Sequence, residues 1–107
     1  HIAHPIPLCA DESCHTRSDI AALRDRYEMI NIKLDKCGGL TEALAMVDEA
    51  KKQGMRLMVG CMLGSSLAME AALLVTPQAE HVDLDGPIWL AADSSPFLSY
   101  LQGRIWL

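Results

Sequence analysis

Pro7-Leu8-Cys9-Ala10-Asp11-Glu12-Ser13 is a short apolar run that stops abruptly at two carboxylates and a serine. The same event recurs along the chain. Met29-Ile30-Asn31-Ile32 runs into Lys33, Arg56-Leu57-Met58-Val59 into Gly60-Cys61-Met62, and His81-Val82 into Asp83-Leu84-Asp85. Each run has the length of a buried strand, and longer segments with helical spacing separate them. Asp11 to Lys33 and Cys61 to Asp83 are the same interval, 22 positions. A repeated strand–helix unit with polar residues at each strand's C-terminal end is the layout of a parallel α/β fold.

Working outward, the first strand is expected over about Ile6 to Ala10, kept short by Pro5 and Pro7, which lack the N–H a central strand donates. Ser18 is the expected N-cap of a helix over about Asp19 to Arg26. The second strand is expected over Met29 to Leu34, with Ile30, Ile32 and Leu34 on one face and Met29, Asn31 and Lys33 on the other. Lys36-Cys37-Gly38-Gly39 reads as a turn into a second helix capped by Thr41, with Leu40, Leu44 and Val47, joined by Ala43 and Ala50, as its buried stripe. Lys51-Lys52-Gln53-Gly54 stops that helix. A third strand over Arg56 to Gly60, an Ala- and Met-rich helix over Leu67 to Leu74 ended by Pro77, and a fourth strand over His81 to Leu84 complete the series. The tail from Ile88 reads as a loop-rich cap with one edge strand near Arg104 to Leu107. Four strands and three helices make half of a barrel or a small open sheet.

With 107 residues, half of them apolar, the chain suits one domain with a modest core. A net charge of −5 argues against nucleic acid, which needs clustered Lys and Arg. No apolar run is long enough to cross a membrane, so no membrane partner is expected. The four cysteines, at 9, 14, 37 and 61, form no C-x-x-C pair; buried free thiols in a reducing cytoplasm are the simpler reading. The chain starts at His1 and enters a strand almost at once, so it is expected to be part of a longer chain.

Ligands bind outside the carboxyl ends of parallel strands, which is where Asp11, Lys33 and Asp83 meet if their faces point inward. Lys33 follows a buried strand, so it either snorkels into solvent or is paired and used. Desolvation would lower its pKa and make it a proton acceptor. Asp11 and Glu12 are either an exposed turn or a carboxylate facing inward toward a hard cation such as Mg²⁺. Asp83 and Asp85, two apart, are either an acidic turn before Gly86-Pro87 or a pair that receives an ammonium group or cation. No phosphate loop is present.

Taken together, Ala10-Asp11-Glu12-Ser13, Asn31-Ile32-Lys33-Leu34 with Lys36-Cys37-Gly38-Gly39, Met58-Val59-Gly60-Cys61-Met62 and Asp83-Leu84-Asp85 resemble the enolase superfamily. They are most similar to its muconate-lactonizing branch, and within it to dipeptide epimerases acting on L-Ala-D/L-Glu. The resemblance covers nearly the whole chain. It implies α/β architecture as the C-terminal half of a (β/α)7β TIM-like barrel, strands five to eight, with an N-terminal capping domain and first barrel half outside these residues. It implies a Mg²⁺ cofactor with Asp11 as third ligand, and Lys33 as the second of two catalytic lysines on opposite faces of the substrate. It also implies Asp83 and Asp85 as the receivers of a dipeptide's α-ammonium, and Cys61 and Met62 as pocket lining. The implied reaction inverts an α-carbon by proton transfer through an enediolate, with Mg²⁺ stabilising the charge that forms.

On this reading the partner is a small dipeptide, the full-length protein is a cytoplasmic homo-oligomer, and the segment alone is inactive. The alternatives are a cycloisomerase, an o-succinylbenzoate synthase or an N-acylamino acid racemase of the same branch, or an idle half-barrel. A signalling receiver domain also gathers acids and a lysine, but in a different order along the chain.

Overall fold

A computed structural model of the chain describes residues 3–107. In chain order the elements are β1 (Cys9–Ala10), α1 (Arg17–Leu23), β2 (Met29–Ile32), α2 (Leu34–Cys37), α3 (Leu40–Lys52), β3 (Arg56–Val59), α4 (Ser66–Leu73), β4 (His81–Val82), β5 (Ser99–Leu101) and β6 (Arg104–Trp106). Strands β1 to β4 form one parallel sheet in sequence order, and β5 and β6 a separate antiparallel hairpin. The α/β layout with a parallel sheet is that of half a TIM-like barrel.

The first strand is shorter than its apolar run. The two prolines keep the segment before Leu8 out of the ladder, and Leu8 N–H donates to the Glu28 carboxylate instead. The second strand is buried on both faces, with Ile30 and Ile32 fully enclosed and Met29 and Asn31 nearly so. It ends at Ile32, because Leu34 begins a single helical turn rather than continuing the strand. The register pairs Ile32 with Val59 and Val59 with Val82, so β2, β3 and β4 stop at one level, while Ala10 pairs with Ile30 and β1 stops two residues earlier.

The helices depart from expectation in their caps and stripes. Thr16, not Ser18, caps α1, and the Asp19 carboxylate accepts N–H bonds from His15 and Thr16. Gly39, at φ 124, precedes α3 where Thr41 was expected. The buried stripe of α3 is Ala43, Met46, Val47 and Ala50, the i, i+3, i+4, i+7 set, while Leu44 is 47% exposed. Leu44 shares helical spacing with Leu40 and Val47, but the face that packs inward is centred on Ala43, Met46 and Ala50, which leaves Leu44 toward solvent.

The first N–H of α4 is satisfied from the tail. Asp93 accepts a 2.7 Å bond from Ser66 N–H and another from the Ser66 hydroxyl, and Ser66 Oγ accepts Leu98 N–H at 2.9 Å. The tail then folds into β5 and β6, where a single edge strand was expected. Gln102 and Gly103, at φ 49 and 70, form the two-residue turn that joins them.

The Ser66 hydrogen bonds hold the Asp93 carboxyl below its ordinary value. A depressed folded value means the latch contributes above the unfolded carboxyl's pKa and is lost as pH falls through the folded one. Acid should therefore free the tail first. Amide protection, corrected for intrinsic rates, is expected to drop at Leu98 and β5–β6 before it drops in β2. Simultaneous loss in both would contradict this.

Gly60 lies where β3 ends, packed on Asn31. A Cβ there would sit 2.8 Å from both Asn31 Oδ1 and Nδ2. Both residues are buried, so the clash has no cheap relief. Gly60→Ala is expected to destabilise the fold by about 1–3 kcal/mol, read as a lower urea midpoint with an unchanged m-value.

Candidate active site

Asp11 is the first residue beyond β1 and Lys33 the first beyond β2. Parallel pairing brings them together: Lys33 Nζ is 3.0 Å from Asp11 Oδ2 and 3.4 Å from Glu12 Oε1. On the other side of Asp11, Lys36 Nζ donates to Oδ1 at 2.7 Å. Each Asp11 carboxylate oxygen thus faces a different lysine. The lysine side chains are enclosed, 12% exposed for Lys33 and 7% for Lys36, while Asp11 is open at 42%.

Burial pushes the Asp11 carboxyl up, but hydrogen bonds and positive charge from Lys36 and Lys33 outweigh it and hold the group below its usual value. For Lys33, burial pushes down, and the hydrogen bonds and charges of Asp11 and then Glu12 outweigh it, so its pKa is raised. This corrects the expectation that desolvation lowers it. Two acids around one lysine stabilise the ammonium more than partial burial penalises it.

The loop after β3 links the two ends of the site. Met62 Sδ lies 3.9 Å from Lys33 Nζ, and Met62 N–H points to Asp35 Oδ2 at 3.5 Å. Cys61 is half-buried, and its thiol is pushed up by burial and by Asp83, Asp85 and Asp35, against a lowering backbone hydrogen bond from Gly86. Both aspartates after β4 therefore lie close enough for their charge to act on Cys61. They do not share one extended strand. Asp83 N–H still bonds Val59 O at 2.9 Å, but Asp85 opens a 3₁₀ turn and its carboxylate accepts Trp89 Nε1–H at 3.0 Å. Gly86 lets this turn approach the loop, since a Cβ there would lie 2.9 Å from Met62 O.

Lys36 and Asp35 are the site residues to which the sequence reading assigned no role. Reading Met29 to Leu34 as strand and Lys36 as turn hid the relation. With a helical turn starting at Leu34, Lys36 comes round to the Asp11 side. A hard carboxylate such as Asp11 suits Mg²⁺, yet among the described residues no group of three His, Cys, Asp or Glu side chains could hold a metal ion. Asp11 fits as one ligand of a shared set.

A family model described as enolase C-terminal domain-like matches residues 1–104. The chain belongs to the enolase C-terminal domain-like family. Within the family, it is 61% identical over 104 residues to an L-Ala-D/L-Glu epimerase of Escherichia coli, covering 97% of this chain and 32% of that protein. It is 52% identical over 101 residues to an N-acetyl-D-glutamate racemase of Pseudoalteromonas sp., covering 94% of this chain and 32% of that protein. The solved dipeptide epimerase from Cytophaga hutchinsonii, complexed with Mg and the dipeptide D-Ala-L-Val, superposes with a TM-score of 0.82 at 34% identity. That superposition covers 94% of this chain and 29% of the other. This enolase-family chain thus spans about a third of the length of the curated relatives it matches. No helix among its described residues is long and apolar enough to cross a membrane.

Proposed function

We propose that this chain supplies strands five to eight of the barrel of a Mg²⁺-dependent epimerase that inverts the α-carbon of a dipeptide such as L-Ala-D/L-Glu. The observation that carries the reading is the enclosed Lys33 ammonium, 3.0 Å from an open carboxylate, at the C-terminal ends of adjacent parallel strands. A removable proton beside a cation-binding oxygen is what this reaction needs.

Asp11 would contribute one carboxylate to the metal. When bound, Mg²⁺ supplies positive charge to the substrate carboxylate as the α-proton leaves. Lys33 Nζ, stabilised as an ammonium by Asp11 and Glu12, gives a proton to one face of the α-carbon; the amine left behind takes it back in the reverse direction. A base on the opposite face would come from the part of the enzyme outside these residues, together with the other metal ligands and the capping domain. Met62 lies against the ammonium and excludes water from it. Asp83 and Asp85 attract the dipeptide's α-ammonium, and Cys61 lines the wall between them. The segment by itself is expected to show no turnover.

The racemase relative favours a second reading, racemisation of an N-acylated amino acid. The same Lys33 chemistry would serve it. Two carboxylates around Cys61 favour a substrate with a free ammonium instead. Four unpaired thiols agree with a reducing, cytoplasmic setting.

The test is to incubate the full-length enzyme and Mg²⁺ with L-Ala-L-Glu in D₂O and follow the Glu α-proton by NMR. Deuterium incorporation with formation of L-Ala-D-Glu is expected. No exchange with dipeptides, alongside racemisation of N-acetylglutamate, would favour the second reading.

A further inference from the structure

Lys36 is more enclosed than Lys33, and the proposed reaction gives it nothing to do. A buried ammonium needs compensation, and among the described residues its hydrogen bonds both end on Asp11. One runs to Oδ1 at 2.7 Å and the other to the Asp11 main-chain oxygen at 2.5 Å. A single nitrogen bonded to the backbone and the side chain of one residue closes a ring that fixes its χ1 rotamer. Cys14 N–H also donates to the Asp11 main-chain oxygen, at 3.0 Å, which pins the turn. Lys36 occupies Oδ1 and leaves Oδ2 to Lys33 or to a ligand.

We infer that Lys36 is a positioning residue that holds the Asp11 carboxylate in the rotamer in which it binds the divalent cation. The inference rests on the proposed role of Asp11 as a metal ligand. An ammonium beside a metal ligand acts in two opposed ways. Its charge repels the cation, which weakens binding, and its hydrogen bonds order the ligand, which strengthens binding. If positioning dominates, removing the charge weakens the metal; if repulsion dominates, removing it tightens the metal. The sign decides.

Mn²⁺ alone serves as the probe, titrated into the full-length enzyme without substrate and read as free Mn²⁺ by electron paramagnetic resonance. Lys36→Met and Lys36→Gln are expected to raise the Mn²⁺ Kd about tenfold or more, with Lys36→Arg between them and the parent. An unchanged or tighter Kd in a folded neutral variant overturns the inference. So does failure of both neutral variants to fold by circular dichroism, which would assign Lys36 to the fold. Asp11→Asn separates the levels. If Asp11→Asn leaves the Kd unchanged, the ligand role falls and the inference falls with it. If Asp11→Asn weakens Mn²⁺ and the Lys36 variants do not, only the positioning role falls.

Discussion

Lys33→Gln in the full-length enzyme is expected to lower kcat for dipeptide epimerisation by at least ~10²–10⁴-fold with little change in KM, the loss associated with removing a positioned general acid–base. The fold should survive, because Lys36 still pairs with Asp11 after the substitution. The exchange pattern is more telling than the rate. A base on the opposite face is untouched, so one epimer should still exchange its α-proton for deuterium without inverting, while the other loses exchange. NMR in D₂O on each pure epimer reads this directly. Epimerisation within tenfold of the parent, or equal loss of exchange from both epimers, would remove Lys33 from the chemistry.

Asp83→Asn is expected to raise KM for L-Ala-L-Glu by ten- to a hundredfold. Losing a hydrogen bond to a charged group costs about 1.5–3 kcal/mol, and each 1.4 kcal/mol is a factor of ten. Asp83 is the cleaner of the two positions, since Asp85 already accepts Trp89 Nε1–H and its replacement would disturb the turn. The control is N-acetylglutamate, which carries no ammonium. Its turnover, if measurable, should not fall. Parallel losses on both substrates would make these acids part of an ordinary surface turn.

Strand ends were the most legible part of the sequence. Runs that stop at Asp11, Lys33, Gly60 and Asp83 marked the ends of four parallel strands, because polar residues and glycine interrupt the pattern where the ladder ends. Periodicity was less reliable near those ends. Leu34 continues the alternation of Ile30 and Ile32 and yet starts a helix, since nothing in an alternating pattern says where it stops. That one slip concealed Lys36. The tail failed for a different reason. Gln102-Gly103 is a weaker turn signal than Asn-Gly, and Trp106, Tyr100 and Leu101 show no clear face until their partners across the hairpin are known. The sign of the Lys33 shift could not be read at all, because it depends on two acids 22 and 21 positions away being within 3.4 Å.

The Asp93 latch bears on how the chain acquires its structure during synthesis. Helix α4 is finished as a segment at Leu73, but the acceptor for its first N–H lies 27 positions after Ser66. Until residue 93 leaves the ribosome, the helix start has an unmet donor and a hydroxyl with no carboxylate to answer it. The β1–β3 layer draws on nearer partners, since the Arg17 N–H at the start of α1 is met by Glu42 of α3, which is made before β3. Assembly should therefore proceed with an early β1–β3 layer and a later α4 that waits for the tail, making the segment around Asp93 a checkpoint on the region that carries Cys61 and Met62.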